Sequence, residues 1–385
     1  MSSETASHRL HGHLIGQAGS RDRLNTPALI LDLAAFERNV ARMAAFARAH
    51  GLALRPHAKS HKSADIARAQ IAAGAVGLCC AKLGEAEALA AAGIEGLHRT
   101  SPVVTPPAIE RLAALSRRMA SLSVVADHPD TVDALAEVAQ GGPALTVFVD
   151  IDPGIRRTGV ASPQHAVELA RRIAERPSLR YGGVQFYCGA QQHIQSFAER
   201  REAIAERTRY LSTCLADLAA ARLPPKVVTG GGTGSHAIDA ELGVLTELQV
   251  GSYIFMDREY AECDPCDGGS GEGGAVPFET ALLVDARVIS ANAAGLITID
   301  AGLKAFATDA GPPVVLAGAC DEARYRFMGD EHGAVIGSNL PGLGARITLG
   351  TPHCDPTVNL YDAYHVISGE SLTAIWPVTA RGRSA

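Results

Sequence analysis

Leu54-Arg55-Pro56-His57-Ala58-Lys59-Ser60-His61-Lys62 reads as the tip of a short buried strand running into a helix. Pro56 fixes its own φ and pushes Arg55 towards extended geometry, so the chain here is a strand end and not a helix interior. Lys59 stands at that junction between two histidines, with Arg55 and Lys62 close by in sequence. Positive neighbours disfavour the ammonium form and lower a lysine pKa, which makes the amine a nucleophile towards a carbonyl. The sequence therefore predicts a lowered pKa for Lys59. Only five lysines occur, Lys59, Lys62, Lys82, Lys226 and Lys304. One of so few at a polar strand-to-helix junction is a candidate for chemistry.

Outward from this stretch the pattern repeats. Short apolar runs fall at Ala28–Leu31, Leu52–Leu54, Val76–Cys80, Leu97–Ser101, Leu122–Ala126, Leu145–Ile151, Gly183–Tyr187, Val227–Thr229 and Leu248–Phe255. Helical periodicity lies between most of them, as in Phe36, Val40, Met43 and Ala47 after Asp32, a helix cap. Ser162-Pro163 opens another helix as cap and first-turn residue. Continuously apolar strands, each followed by a helix, indicate a parallel sheet buried on both faces. Eight or nine such units before about residue 256 predict a closed (β/α)8 barrel. Catalytic groups of such barrels gather at the C-terminal strand ends, where Lys59, Arg157, Tyr187, Gly230–Ser235 and Gly251–Tyr253 fall.

The chain has 385 residues, 47% hydrophobic, with net charge -6. The length supports a large core, and the charge gives no electrostatic footprint for nucleic acid or anionic membrane. No apolar run is long enough to span a bilayer. Residues 1–25 read as a loose polar arm without the apolar core of a signal peptide, so a cytoplasmic protein with reduced cysteines is expected. The barrel is assigned to residues 26–262 and a glycine-rich linker to 263–277. After it, alternating runs such as Ala281–Ile289 and Tyr364–Ile367 predict a C-terminal β-domain over 278–385.

Gly230-Gly231-Gly232-Thr233-Gly234-Ser235 follows an apolar strand, and consecutive glycines let backbone amides close round a phosphate. It is neither a Walker A loop nor a dinucleotide fingerprint. Gly251-Ser252-Tyr253 follows the next strand, and adjacent strands late in a barrel often share one phosphate site. A lysine and a phosphate cup at a barrel mouth are the equipment for pyridoxal phosphate. His353 and Asp355 alternate with Cys354, so an extended backbone would place both on one side as ligands of a divalent ion, with Cys354 packed away. His193, after the strand ending at Tyr187, is placed to act as a general base. Cys263-x-x-Cys266 lacks the second half of a zinc site and belongs to the linker.

Together the residues resemble a known family. Pro56–Lys62, Gly77–Lys82, Gly230–Ser235, Gly251–Asp257, Asp300–Lys304, Asp330–Gly333 and His353-Cys354-Asp355-Pro356-Thr357 look like the D-threonine aldolase family, which includes 3-hydroxy-D-aspartate aldolases. It is related to metal-dependent D-serine dehydratases and to alanine racemase-like fold-type III enzymes. The resemblance implies pyridoxal phosphate on Lys59 as the Schiff-base lysine, with Thr233, Gly234, Gly251, Ser252 and Tyr260 holding it and Arg157 and Tyr187 flanking it. Gln192 and His193 would face cofactor and substrate. His353 and Asp355 would hold a divalent metal, Mn²⁺ before Mg²⁺ or Zn²⁺. The implied reaction cleaves a D-3-hydroxy amino acid to glycine and an aldehyde. Dehydration to ammonia and a keto acid is the alternative, although the dehydratases typically carry cysteine where Asp355 stands. A non-catalytic pyridoxal phosphate-binding protein would need no His-x-Asp domain. The resemblance also implies a homodimer.

Overall fold

The first strand, β1 (Ala28–Asp32), shows where local pattern and tertiary structure part. In the computed structural model, which describes residues 5–265 and 278–385, β1 lies outside the barrel. It pairs antiparallel with a strand of the C-terminal region, Ala28 opposite Asp285, and parallel with another, Ile30 opposite His365. The barrel assignment from residue 26 is corrected accordingly. Leu29, Ile30 and Leu31 are fully buried. A strand central in either sheet is apolar on both faces, so its composition does not say which sheet it joins.

The barrel strands are β2 (Ala53–Leu54), β3 (Leu78–Cys80), β4 (Leu97–Arg99), β5 (Leu122–Ala126), β6 (Leu145–Asp150), β7 (Leu179–Phe186), β8 (Val227–Gly230) and β9 (Glu247–Leu248). They form one parallel sheet in the order β2-β9-β8-β7-β6-β5-β4-β3. The ends meet where Val76 N donates to Leu54 O (2.8 Å) and Cys79 N to Pro56 O (2.8 Å), with a parallel bridge between His57 and Cys79. The sheet therefore closes as the predicted (β/α)8 barrel. Asp32 caps the helix Leu33–Ala49 by accepting from Ala35 N (3.0 Å), and Ser162 caps Pro163–Ala174 by accepting from His165 N (3.2 Å). The long final run is cut short. After β9 the chain turns at Gly251 into a 3-10 turn, Ser252–Ile254.

The second sheet takes β1 together with β10 (Leu282–Ala293), β11 (Leu296–Ile299), β12 (Val314–Ala317), β13 (Arg324–Phe327), β14 (Gly333–Ile336), β15 (Arg346–Gly350), β16 (Ala363–Ser368) and β17 (Ser371–Pro377). β13 and β14 escape a reading by apolar runs because Arg324 and Arg326 flank a single buried Tyr325 and β14 begins at a glycine.

The N-terminal arm is not loose. Leu14 and Leu24 pack with Ile30, Ile367 and Leu372. Arg21 makes two hydrogen bonds to Asp285 (2.7 and 2.9 Å) and one to Thr348 (3.2 Å), all buried. Stranding either charge of such a pair costs about 3–5 kcal/mol, so the arm is anchored to the second sheet. Two leucines and one arginine outweigh an otherwise polar composition.

Among the described residues no helix is long and apolar enough to cross a membrane. The cysteines among the described residues are free thiols. Cys266 and most of the predicted linker lie outside the described residues.

Candidate active site

Lys59 sits in a 3-10 turn, Ala58–Ser60, separated from the end of β2 by three residues. The turn is shaped by His57, whose Nδ1 accepts from Lys59 N (3.3 Å) while Nε2 contacts Thr100 Oγ1 (3.1 Å). Tyr364 of β16 donates to His61 O (2.6 Å), tying the second sheet to the same loop. The lysine opens on a cavity of roughly 220 Å³ at the C-terminal ends of the barrel strands.

The electrostatics reverse the sequence expectation. Lys59 Nζ contacts the Asp355 carboxylate, and that negative charge raises the lysine above its ordinary value. The flanking cations are spent elsewhere. Arg55 pairs with Glu247 (3.0 Å), Lys62 pairs with Glu85, and burial lowers His57 well below its usual value and His61 to about 3. Histidines kept neutral by desolvation lend no positive charge. Burial pushes Asp355 up, but Lys59 and then His353 outweigh it, leaving the carboxyl at about 2.

Asp355 is not on extended backbone. His353 is the cap residue and Asp355 lies in the first turn of a short helix, Cys354–Val358. Thr357 Oγ1 donates to His353 O (2.7 Å) and accepts from Ala307 N (3.0 Å), fixing this turn. Cys354 is buried, as expected. Asp257 joins the domains here: Oδ2 accepts from Cys354 N (2.8 Å) and Oδ1 from Tyr260 N (3.2 Å), so the Tyr260 and Asp355 segments are held together. His353 Nδ1 meets Asp309 Oδ2 at 2.6 Å. Burial lowers the imidazole pKa, but the Asp309 bond and the carboxylates of Asp355 and Asp257 raise it overall.

Lys59, Arg157, Tyr187, Thr233, Gly251, Ser252 and Tyr260 all line the cavity. The Arg157 guanidinium lies 5.7 Å from the Tyr187 ring centre. Gln192 and Gly234 are placed differently. Gln192 is fully buried behind the glycine-rich turn, where its Oε1 accepts from Gly234 N (3.0 Å) and its Nε2 donates to Ser235 Oγ (2.8 Å). Both residues shape the turn from behind. His193 is exposed at the rim, its ring 4.6 Å from that of Tyr260. Gln185 and Gln249 line the cavity floor without having been singled out from the sequence. They are bonded to each other (3.2 Å), and Gln185 continues to Asp150 (2.9 Å). The available signal was a polar residue inside an otherwise apolar strand.

The family model of the alanine racemase N-terminal domain matches residues 31–259, and a serine dehydratase domain model matches residues 281–367. The chain is 38% identical to the 3-hydroxy-D-aspartate aldolase of Paracoccus denitrificans (strain Pd 1222), over 94% of this chain and 93% of that one. It superposes with a TM-score of 0.88 on the crystal structure of D-threonine aldolase from Filomicrobium marinum, at 39% identity and covering 94% and 97% of the two chains. It is 31% identical to the D-threo-3-hydroxyaspartate dehydratase of Delftia sp. (strain HT23), over 92% and 97%. A barrel of the alanine racemase type with an amine at its mouth and an appended β-domain thus defines the class of protein. The chain belongs to the D-threonine aldolase and 3-hydroxy-D-aspartate aldolase family of carbon–carbon lyases.

The family implies pyridoxal phosphate, and the cavity fits it. Thr233 and Gly251 face the cavity, and among the described residues their backbone amides have no partner within the protein. Two orphan donors and the Ser252 hydroxyl suit a phosphate, and Lys59 Nζ suits a carbonyl. A metal finds a sparser set. Among the described residues no three His, Cys, Asp or Glu side chains converge on one point. His353 and Asp355 remain a two-ligand set of imidazole and carboxylate, chemically suited to a divalent ion. A carboxylate on the far ring nitrogen, as Asp309 provides, is the usual companion of a ligating histidine.

Proposed function

We propose that the protein is a pyridoxal phosphate- and divalent metal-dependent aldolase. It cleaves D-3-hydroxy amino acids of the threonine or 3-hydroxyaspartate type to glycine and an aldehyde. The observation that carries this reading is the contact of Lys59 Nζ with the Asp355 carboxylate beside a cavity with free backbone donors. It brings a carbonyl-binding amine of the barrel against a ligand of the second domain.

Pyridoxal phosphate, when bound, supplies a sink for the electrons of the breaking Cα–Cβ bond. His353 and Asp355 would hold a divalent ion, Mn²⁺ foremost, which would supply Lewis acidity towards the substrate hydroxyl. The chain does the rest. Lys59 would hold the cofactor by its carbonyl, and the Thr233 and Gly251 amides with the Ser252 hydroxyl would hold its phosphate. Arg157 and Tyr187 orient the ring and the substrate. Tyr260 shields the cavity from water and carries His193 against its ring, at the rim, where the imidazole takes the β-hydroxyl proton.

Incubation with pyridoxal phosphate, Mn²⁺ and either D-threonine or 3-hydroxy-D-aspartate is expected to release glycine with acetaldehyde or glyoxylate. Ammonia with a keto acid would replace this reading by the dehydratase one, which the 31% identity to a dehydratase supports as the alternative. Asp355 in place of a cysteine favours the aldolase.

A homodimer and a cytoplasmic site of action complete the proposal. Val314 and Leu316 of β12 are nearly half exposed, an apolar patch suited to a second copy. Gel filtration is expected to give twice the 40.1 kDa chain mass; elution as a monomer removes the dimer.

A further inference from the structure

Behind the glycine-rich turn lies a buried carboxylate that the proposed chemistry does not use. Asp239, on the short helix His236–Leu242, does not line the cavity, and its Oδ2 accepts a hydrogen bond from Ser235 Oγ (2.6 Å). Ser235 Oγ in turn accepts from Gly232 N (3.0 Å) and from Gln192 Nε2 (2.8 Å). Gln192 Oε1 accepts from Gly234 N (3.0 Å). The relay thus pins the amides on both sides of Thr233 inwards. The Thr233 amide between them has no partner among the described residues.

Sterics agree with the bonding. A Cβ on Gly231 would lie 2.5 Å from Asp239 Oδ2, and one on Gly232 would lie 2.5 Å from Gln192 Oε1. Only bare backbone fits against these two side chains. Gly231 also has φ +70°, a conformation glycine adopts without strain. Keeping a carboxylate in such a place is costly. Burial pushes Asp239 up to about 7, against the downward pull of the Ser235 bond.

We infer that Asp239, acting through Ser235 and Gln192, is the positioning residue that holds the glycine-rich turn in its phosphate-accepting shape. This rests on the reading of the cavity as a pyridoxal phosphate site. It predicts that the relay affects recognition of the phosphate and leaves recognition of the aldehyde by Lys59 alone.

The test compares binding of pyridoxal phosphate and of pyridoxal, which lacks the phosphate, to cofactor-free protein, followed by absorbance. The wild-type protein should prefer pyridoxal phosphate strongly. Asp239→Ala should cut that preference about tenfold, the scale of one lost charge-assisted hydrogen bond. Ser235→Ala removes only a hydroxyl and should act in the same direction. The double variant should lose little more than the worse single one, because both break one relay. A merely structural role would lower the melting temperature of the variants and leave the preference intact. An unchanged preference in both single variants overturns the inference, whatever their stability. A wild-type protein that binds neither compound overturns the cofactor reading and this inference with it.

Discussion

Lys59→Ala is expected to abolish the visible absorbance that pyridoxal phosphate acquires on attachment to the protein, and to reduce turnover by about three orders of magnitude or more. Lys82, the next lysine along the barrel wall, does not line the cavity, and Lys62 is committed to Glu85. Among the described residues Lys59 is the one lysine that lines the cavity; Lys226 and Lys304 do not. The fold should survive, since the Lys59 side chain is 42% exposed and its loop is held by Tyr364 and His57. An absorbance spectrum and a circular dichroism melt on the same sample separate the two effects. Retained absorbance in Lys59→Ala would move the cofactor to another lysine.

Asp355→Ala should act on the second half of the chemistry. The cofactor should still bind, because the proposed phosphate contacts come from Thr233, Gly251 and Ser252 and not from Asp355. Metal-dependent turnover should fall by about a hundredfold or more, as when a metal ligand is deleted. Activity in excess chelator equal to that of the metal-loaded wild type would remove the metal from the reaction. The substitution also has a pH signature. Asp355 raises the Lys59 pKa, and only the neutral amine adds to a carbonyl. Without the carboxylate, Lys59 loses its proton at lower pH. In metal-free protein the midpoint of cofactor attachment should therefore move down the pH scale, measurable by absorbance titration.

Much of this arrangement was legible because barrels repeat a simple instruction. Apolar runs such as Leu122–Ala126 and caps such as Asp32 and Ser162 are local signals, and the strand-end rule placed Lys59, Arg157, Tyr187, Thr233, Gly251 and Ser252 at one mouth. What escaped was set by distant partners. The charge state of the Lys59 neighbourhood depends on Asp355, Glu247 and Glu85, each remote in sequence. Periodicity 2 applied to His353-Cys354-Asp355 misses a helix whose first amide is bound by Asp257. Gln192 is next to a candidate base in sequence, yet its side chain is enclosed by Cys188, Ser235 and Gly234. Its role belongs to the turn it supports.

The position of β1 bears on how the chain is made. Ile30 lies opposite His365, with the whole barrel between them in sequence. Pairings of such long range are slow to form, and chains fold from the N-terminus during synthesis. On the ribosome β1 would emerge before either of its neighbours and wait with its apolar faces and both edges open, one edge until β10 and the other until β16 had been translated. The helix Leu33–Ala49 and the barrel can assemble in the meantime and keep β1 tethered in place. Completion of the second sheet, and with it the meeting of Lys59 and Asp355, would then be a late event in the folding of the chain.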